Sequence, residues 1–256
     1  LAGIGSLRID AGGSRRFDGS NLGSNILMPE DSLGDRMKTN YENPCRFYLT
    51  RRTPVVIRVD GRAFHTFTRN FPKPFSVKFA DAMILAAMQV AGEAQGFKLG
   101  YVQSDEASFV LTDYDELQTQ PWFGYNKSKI ESVSASIMTA AFARAMRLTG
   151  ITELAMFDAR AFNIPEAEVV NYFLWRAKDW ARNSVSMYAR AHFSHAELHG
   201  KSCSDMHEML HGVGRNWAFD LMDAEKNGTF ILSDTTRDDV LPHYEFINEL
   251  WESVKP

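Results

Sequence analysis

The chain has 256 residues, of which 45% are hydrophobic, enough to build one large domain with a packed core, or one domain with an extension. No run of eighteen apolar residues occurs, so no membrane-spanning helix is expected, and two distant cysteines, Cys45 and Cys203, rule out a CxxC-type zinc site. The net charge of −4 argues at first against a polyanionic ligand, but residues 219–256 hold nine acids and three bases, leaving 25 bases against 23 acids on the rest.

The sequence opens on Leu1 rather than Met, as a fragment or processed product would. Its start lacks a charged stretch followed by an apolar one, so no secretory signal is expected. With free thiols, this points to a reducing compartment, the cytoplasm. Residues 1–25 are rich in Gly, Ser and Asn without apolar periodicity and read as a mobile leader. Residues 33–48 suggest a short helix ending before Pro44.

Residues 54–60 form a β-branched run, predicting a strand that stops at Asp60-Gly61. Ser76 is placed to cap a helix over 77–95, with Phe79, Met83, Ala87 and Val90 on one face. Residues 98–103 and 107–112 read as a hairpin around Ser104-Asp105-Glu106. Ser128 to Met146 is helical by period, with Ile130, Val133, Ile137, Ala141 and Phe142 inward. Residues 153–160 predict a fourth strand, closed by Asp158 and Arg160. A long helix follows Pro165 to about Ala191, with Val169, Phe173, Trp180 and Met187 on its apolar side, and another covers 202–211.

The order β-α-β-β-α-β predicts an α+β fold with a ferredoxin-like sheet, extended by C-terminal helices. Such a sheet sets the first strand beside the third, so Asp60 and Asp105 meet at one edge. Two close carboxylates repel unless a cation joins them, and hard oxygen ligands favour Mg²⁺ with substrate phosphates. The Gly61 carbonyl is a further candidate ligand. The bland alternative is two ordinary turns, which either motif taken alone would favour. Lys73, between Pro72 and Pro74, and Lys129, at a helix start, are candidate phosphate contacts as well as ordinary surface lysines. Arg176, Arg182 and Arg190, with Asn183 and Lys201 nearby, form a candidate RNA-facing side of the long helix and its sequel. A plain solvated face is the commoner meaning of such a stripe. His192, His195, His199, His207 and His211 cluster, but without HExxH or paired cysteines zinc is disfavoured.

These residues together resemble the tRNA-histidine guanylyltransferase-like family. Arg58-Val59-Asp60-Gly61-Arg62-Ala63-Phe64-His65 is similar to its RxDGRxFH signature, and Phe71-Pro72-Lys73-Pro74 to its FxKP loop. Tyr101 to Phe109 resembles its YxxSDExSF hairpin, Ser128-Lys129 with Ala135-Ser136 its SK…AS helix, Phe157 to Arg160 its FDGR, and Tyr172 to Asp179 its YxxWRxxD. The likeness runs in order from about residue 33 to 217. It implies a polymerase-type palm and a homotetramer; the palm with its helical extension is expected over 26–218, and 219–256, outside the likeness, is expected as an acidic C-terminal extension. It implies two Mg²⁺ ions on Asp60, Gly61 and Asp105, with Glu106 in the catalytic set. It implies nucleotide contacts from Asp60, Gly61, Arg62, Ala63, Phe64, His65, Lys73, Ser104 and Asp105. ATP and GTP are the implied activating nucleotides and tRNA the acceptor: a 5′ phosphate is activated, then attacked by the 3′-hydroxyl of an incoming nucleotide.

The guanylyltransferases proper carry HINNLYN where this chain reads Ala181 to Met187, and only Asn183 matches. That pattern resembles the bacterial and archaeal branch associated with templated repair of tRNA 5′ ends. Ala159 also replaces the glycine of FDGR. The expected activity is therefore template-dependent 3′-to-5′ addition. The alternatives are addition of a single G to tRNA-histidine, a nucleotide cyclase and a non-catalytic RNA-binding module. The absent GGDEF-like stretch opposes the cyclase, and the retained Asp60, Asp105 and Lys73 oppose a mere binding module.

Overall fold

The computed structural model describes residues 32–233 and 235–256. The expected leader over 1–25 lies outside them. The chain divides into two compact units, residues 1–45 and 46–256. In the first, α1 (Leu33–Met37) is capped by Ser32, whose Oγ accepts the Asp35 N–H at 3.1 Å. A π turn over Lys38–Glu42 and a 3-10 turn over Asn43–Cys45 continue the winding, so it passes through Pro44 rather than ending before it.

The second unit begins with β1 (Val55–Arg62), α2 (Phe64–Phe67), α3 (Val77–Glu93), β2 (Phe97–Gln103) and β3 (Glu106–Leu111). Next come α4 (Lys127–Leu148), β4 (Met156–Asn163) and α5 (Val169–Arg190). The short helices α6 (His195–Leu198), α7 (Cys203–Gly212), α8 (Trp217–Asp220) and α9 (Asp223–Asn227) follow. The chain closes with β5 (Thr229–Ile231), β6 (Thr236–Arg237) and α10 (Tyr244–Val254). No helix among the described residues is long and apolar enough to cross a membrane.

The six strands form one sheet in the order β4-β1-β3-β2-β5-β6, with every neighbouring pair antiparallel. The first strand therefore does lie beside the third. Burial on both faces explains why β1 is apolar over Val55–Ile57 and again at Val59. Val55, Ile57 and Val59 pack under α3 and α4 with Met83, Val90, Met138 and Phe142. Val56 faces the opposite layer with Leu99, Tyr101, Val169 and Phe173.

Two strand limits differ from the sequence expectation. β1 runs on through Gly61 to Arg62, because Gly61 pairs with Phe157 and Arg62 with Met156 on β4. The same register carries β4 to Asn163 opposite Val55, so Asp158 and Arg160 lie inside the strand and do not close it. Ser76 takes the α3 cap position as expected, though without a side-chain hydrogen bond; α4 starts one residue earlier than expected, at Lys127, with Asn126 capping it by accepting the Lys129 N–H at 3.1 Å.

The acidic segment 219–256 completes this unit. Phe230 of β5 is fully buried, with ring centroids 4.8 Å from Tyr101 and 5.7 Å from Phe173. On α10, Ile247, Leu250 and Trp251 are buried while Glu245, Glu249 and Glu252 are exposed, so the acids form the wet side of an amphipathic helix. Replacing Phe230 with Ala is expected to destabilise the protein by about 3–5 kcal/mol, measured by denaturant unfolding. A loss below about 1 kcal/mol would show that this segment is not integral to the fold.

Candidate active site

Asp60 of β1 stands directly opposite Glu106 of β3, which sets the hairpin tip Ser104-Asp105 beside Gly61. The Gly61 N–H donates to the Asp105 carbonyl at 3.0 Å. A Cβ on Gly61 would fall 2.3 Å from the Phe64 ring and 2.9 Å from the Asp105 Cβ, so only glycine permits this approach. Phe64 is held in place by an aromatic cluster with Phe67, Phe79, Phe142 and Phe157. Ser104 and Ala63, on the two sides of the junction, adopt left-handed backbone at φ 47° and 56°. Each such non-glycine residue costs roughly 1–2 kcal/mol, held by the surrounding packing.

Burial pushes the Asp105 carboxyl above its usual range; hydrogen bonds to its own backbone and to Ser104 oppose this, and the charges of Asp60 and Glu106 add to it. Among the described residues neither Asp60 nor Asp105 has a salt-bridge partner, whereas Glu106 has two. Arg176 Nε and Nη2 donate to the two Glu106 oxygens at 2.7 and 2.8 Å, and Arg58 Nη2 lies 2.7 Å from Oε2. Glu106, placed by resemblance in the catalytic set, is thus buried and neutralised in place.

The same contact corrects the basic stripe. Arg176 is 5% exposed because it lies on the α5 face that covers the sheet, with Phe173, Ala177 and Trp180. It cannot track RNA phosphates there. Arg182, Asn183, Arg190 and Lys201 are exposed, and both Arg182 and Asn183 bond to Asp179.

A cleft of about 730 Å³ opens beside the hairpin tip. Gly61, Ala63, Phe64, His65, Lys73, Ser104 and Asp105 all line it, so most of the expected nucleotide contacts converge. Lys73 is exposed, with its Nζ donating to the Thr68 carbonyl at 3.2 Å. Three expectations fall elsewhere. Asp60 is half-buried beside the cleft residues without lining the cleft itself. Arg62 lines a separate groove with Phe67 and Lys78. Lys129 is exposed, with its ammonium 5.9 Å from the Phe123 ring centre, and is not a cleft residue.

The far wall was not foreseen. It comes from Trp180 and Met187 of α5, and from Met222, Gly228 and Thr229. Trp180 and Met187 read in sequence as the apolar side of the long helix. Only glycine fits at Gly228: its φ is +77°, and a Cβ there would lie 2.5 Å from the Tyr101 hydroxyl, which donates to the Asn227 carbonyl at 2.6 Å.

A family model described as tRNAHis guanylyltransferase matches residues 34–165. The chain belongs to the tRNAHis guanylyltransferase family. Members of this family are nucleotidyltransferases, and this chain is one of them. The tRNA(His) guanylyltransferase of Schizosaccharomyces pombe is 30% identical over 189 residues, covering 67% of this chain and 70% of that one. A bacterial tRNA(His) guanylyltransferase-like protein solved in complex with ATP superposes with a TM-score of 0.84 at 40% identity, covering 88% of this chain and all of the other. A bacterial like-protein in complex with GTP gives 0.74 at 36%, with the same coverage.

Two outcomes test the electrostatics. Arg176→Ala leaves a buried carboxylate short of its main partner and is expected to cost about 3–5 kcal/mol in denaturant unfolding; a loss near zero would return Arg176 to the surface. For Asp105, the folded protein holds the proton more tightly than the unfolded chain. Raising the pH from the unfolded value through the raised folded value therefore removes stability. In chelator, Asp105→Asn is expected to stabilise the protein at pH 7, and the gain should shrink at acid pH. Thermal unfolding across pH measures both.

Proposed function

We propose that this chain adds nucleotides to the 5′ end of a tRNA in the 3′-to-5′ direction, copying the opposite strand, as a repair activity. The observation that carries the reading is the junction of Asp60-Gly61 with Ser104-Asp105 at the mouth of a cleft that also holds Lys73. The sheet order 4-1-3-2, with α3 and α4 on one face, supports a ferredoxin-like, polymerase-type palm.

Two Mg²⁺ ions fit the donor set. Among the described residues Asp60 and Asp105 are hard oxygen donors without a basic partner, beside a Glu106 that has two, and Mg²⁺ needs only one or two carboxylates once phosphates and water complete its shell. Among the described residues no three His, Cys, Asp or Glu side chains converge on a metal-sized site, so nucleotide phosphates are the expected remaining ligands. Asp60, Asp105 and the Gly61 carbonyl would hold the ions, which supply charge neutralisation and activation of a hydroxyl.

The chain's own groups bind and orient. Lys73 and the Ser104 turn hold the triphosphate of ATP or GTP, and His65 and Ala63 border it. A tRNA 5′-monophosphate oxygen attacks the α-phosphate of ATP or GTP and releases pyrophosphate. The 3′-hydroxyl of an incoming nucleotide then attacks the activated 5′ phosphate, forming the new phosphodiester and releasing AMP or GMP. A 5′-triphosphate end bypasses the first step and releases pyrophosphate in the second. Both are in-line attacks at phosphorus, for which fixed geometry is the main requirement. Arg182, Asn183, Arg190 and Lys201 supply an exposed polar and basic flank for the tRNA. The missing histidine and tyrosine between Ala181 and Met187 disfavour a single G addition. A homotetramer in the cytoplasm is part of the same reading.

The test is label incorporation into a tRNA lacking its first 5′ nucleotide, with the opposing base varied. Incorporation should follow Watson–Crick pairing. Addition of G alone, whatever base stands opposite, would contradict templating. Asp60→Ala should lose addition by at least about 100-fold while folding and tRNA binding persist; unchanged addition would remove Asp60 from the chemistry.

A further inference from the structure

One face of the sheet is left open beside Asp60. Val56, Arg58 and Asp60 of β1 share the α5 side of the sheet, and β4 sets Phe162, Arg160 and Asp158 opposite them. Helix α5 reaches as far as β3, where Tyr172 and Arg176 bond to Ser108 and Glu106. Beyond it, Arg160 and Asp158 on the edge strand are exposed. Arg58 is paired with Glu106, whereas Arg160, directly opposite it, has no carboxylate partner among the described residues. Two guanidiniums opposed on neighbouring strands repel each other, and a bound anion relieves this.

Trp175 of α5 stands over this ledge and is 53% exposed. The Arg176 guanidinium lies 4.5 Å from its ring centre and that of Arg58 6.0 Å, and Tyr172 meets it edge-on at 5.9 Å. Phe162 touches Tyr172 in turn at 6.0 Å, so Arg160, between Phe162 and Asp158 and opposite Arg58, belongs to the same patch. Asp60 lies two residues along β1 from Arg58, roughly 7 Å, or about two base steps of a nucleic acid strand. A solvent-facing aromatic ring beside an unpaired arginine suits an unpaired nucleotide, whose base stacks on the ring while its phosphate meets the guanidinium.

An RNA stem that lacks its first 5′ nucleotide leaves the opposing strand running past it as an unpaired 3′ overhang. We propose that Trp175 and Arg160 hold this overhang, Trp175 stacking on the face of an unpaired base and Arg160 taking a phosphate of the same strand. This rests on the reading above that the chain acts on the 5′ end of an RNA stem. Stacking engages the face of a base and leaves its pairing edge free, so a strand held in this way can still be copied. It also accepts any base, since each has a π face. The ledge and the cleft then lie on either side of Asp60, which lines the cleft with none of its own atoms. One side takes the strand to be copied and the other the nucleotide.

The experiment measures binding of the full chain, by fluorescence anisotropy in Mg²⁺, to two 5′-phosphorylated RNA hairpins, one blunt and one with a short 3′ overhang. The wild-type chain should favour the overhang by about fivefold to tenfold. Trp175→Leu keeps an apolar cover over the Arg58–Glu106–Arg176 cluster; it should erase the preference and leave the blunt affinity unchanged. Trp175→Phe should keep most of the preference. Arg160→Gln should weaken binding of the overhang and lower its salt dependence by about one phosphate contact. A wild-type chain that binds both hairpins equally, or a preference that survives Trp175→Leu, overturns the proposal. So does an equal loss on both hairpins with a lowered unfolding midpoint, which would make Trp175 a cover for the buried ions. So does a change in self-association with RNA affinity untouched, which would make the ledge a contact between proteins. Failure of the wild-type chain to bind either hairpin would overturn the RNA reading itself.

Discussion

The hydrogen bond from the Gly61 amide to the Asp105 carbonyl, made at a point where no side chain fits, governs the geometry of everything around it. It joins the end of β1 to the tip of the β2–β3 hairpin, far along the chain at Asp105. The register Asp60 against Glu106 requires the same alignment from the sheet side. A slip of one residue would turn Asp60 to the opposite face and send Val59 out of the core beneath α3 and α4. The apolar core thus fixes where the carboxylates stand, and the left-handed turns at Ala63 and Ser104 are held by that same packing.

This alignment has an electrostatic cost. Asp158, Asp60 and Glu106 lie side by side across β4, β1 and β3, and like charges directly opposite one another destabilise a sheet. The fold meets it unevenly. Glu106 receives two guanidiniums, from Arg58 on its own sheet and Arg176 from the helix above. Asp158 is exposed on the edge strand. Among the described residues no cation pairs with Asp60 or Asp105, and Asp105 resists ionisation in consequence of burial first and of its charged neighbours second. A structural ion-pair network would have covered these two as it covered Glu106. Their exclusion from it is the physical argument for a cation.

The strand and helix order was legible because the elements are strongly patterned: the Val-rich β1, the Asp-Gly and Ser-Asp turns and the periodic α3, α4 and α5. The pairing of Asp60 with the hairpin followed from that order. What could not be read depended on contacts between distant segments. Arg176 sits on a helix whose spacing is equally compatible with a wet or a buried guanidinium; only the position of Glu106 under α5 decides it. The limit of β4 depends on its register with β1, not on its own residues. The cleft's far wall needed β5 to pair with β2, and a three-residue strand in an acidic segment gives little local signal. Gly228, whose positive φ and tight contact with Tyr101 mark a close approach, belongs to the same unread segment.

The central claim is that Asp60 and Asp105 share divalent cations with a bound nucleotide. Electron paramagnetic resonance of Mn²⁺, which accepts the same oxygen ligands as Mg²⁺, tests it most directly. In the presence of ATP the wild-type chain should give the broadened spectrum of a protein-bound ion, and Asp60→Asn and Asp105→Asn should each return the spectrum toward that of Mn²⁺ with ATP alone. A bound-ion spectrum that survives both substitutions unchanged would contradict the claim and place the cation elsewhere.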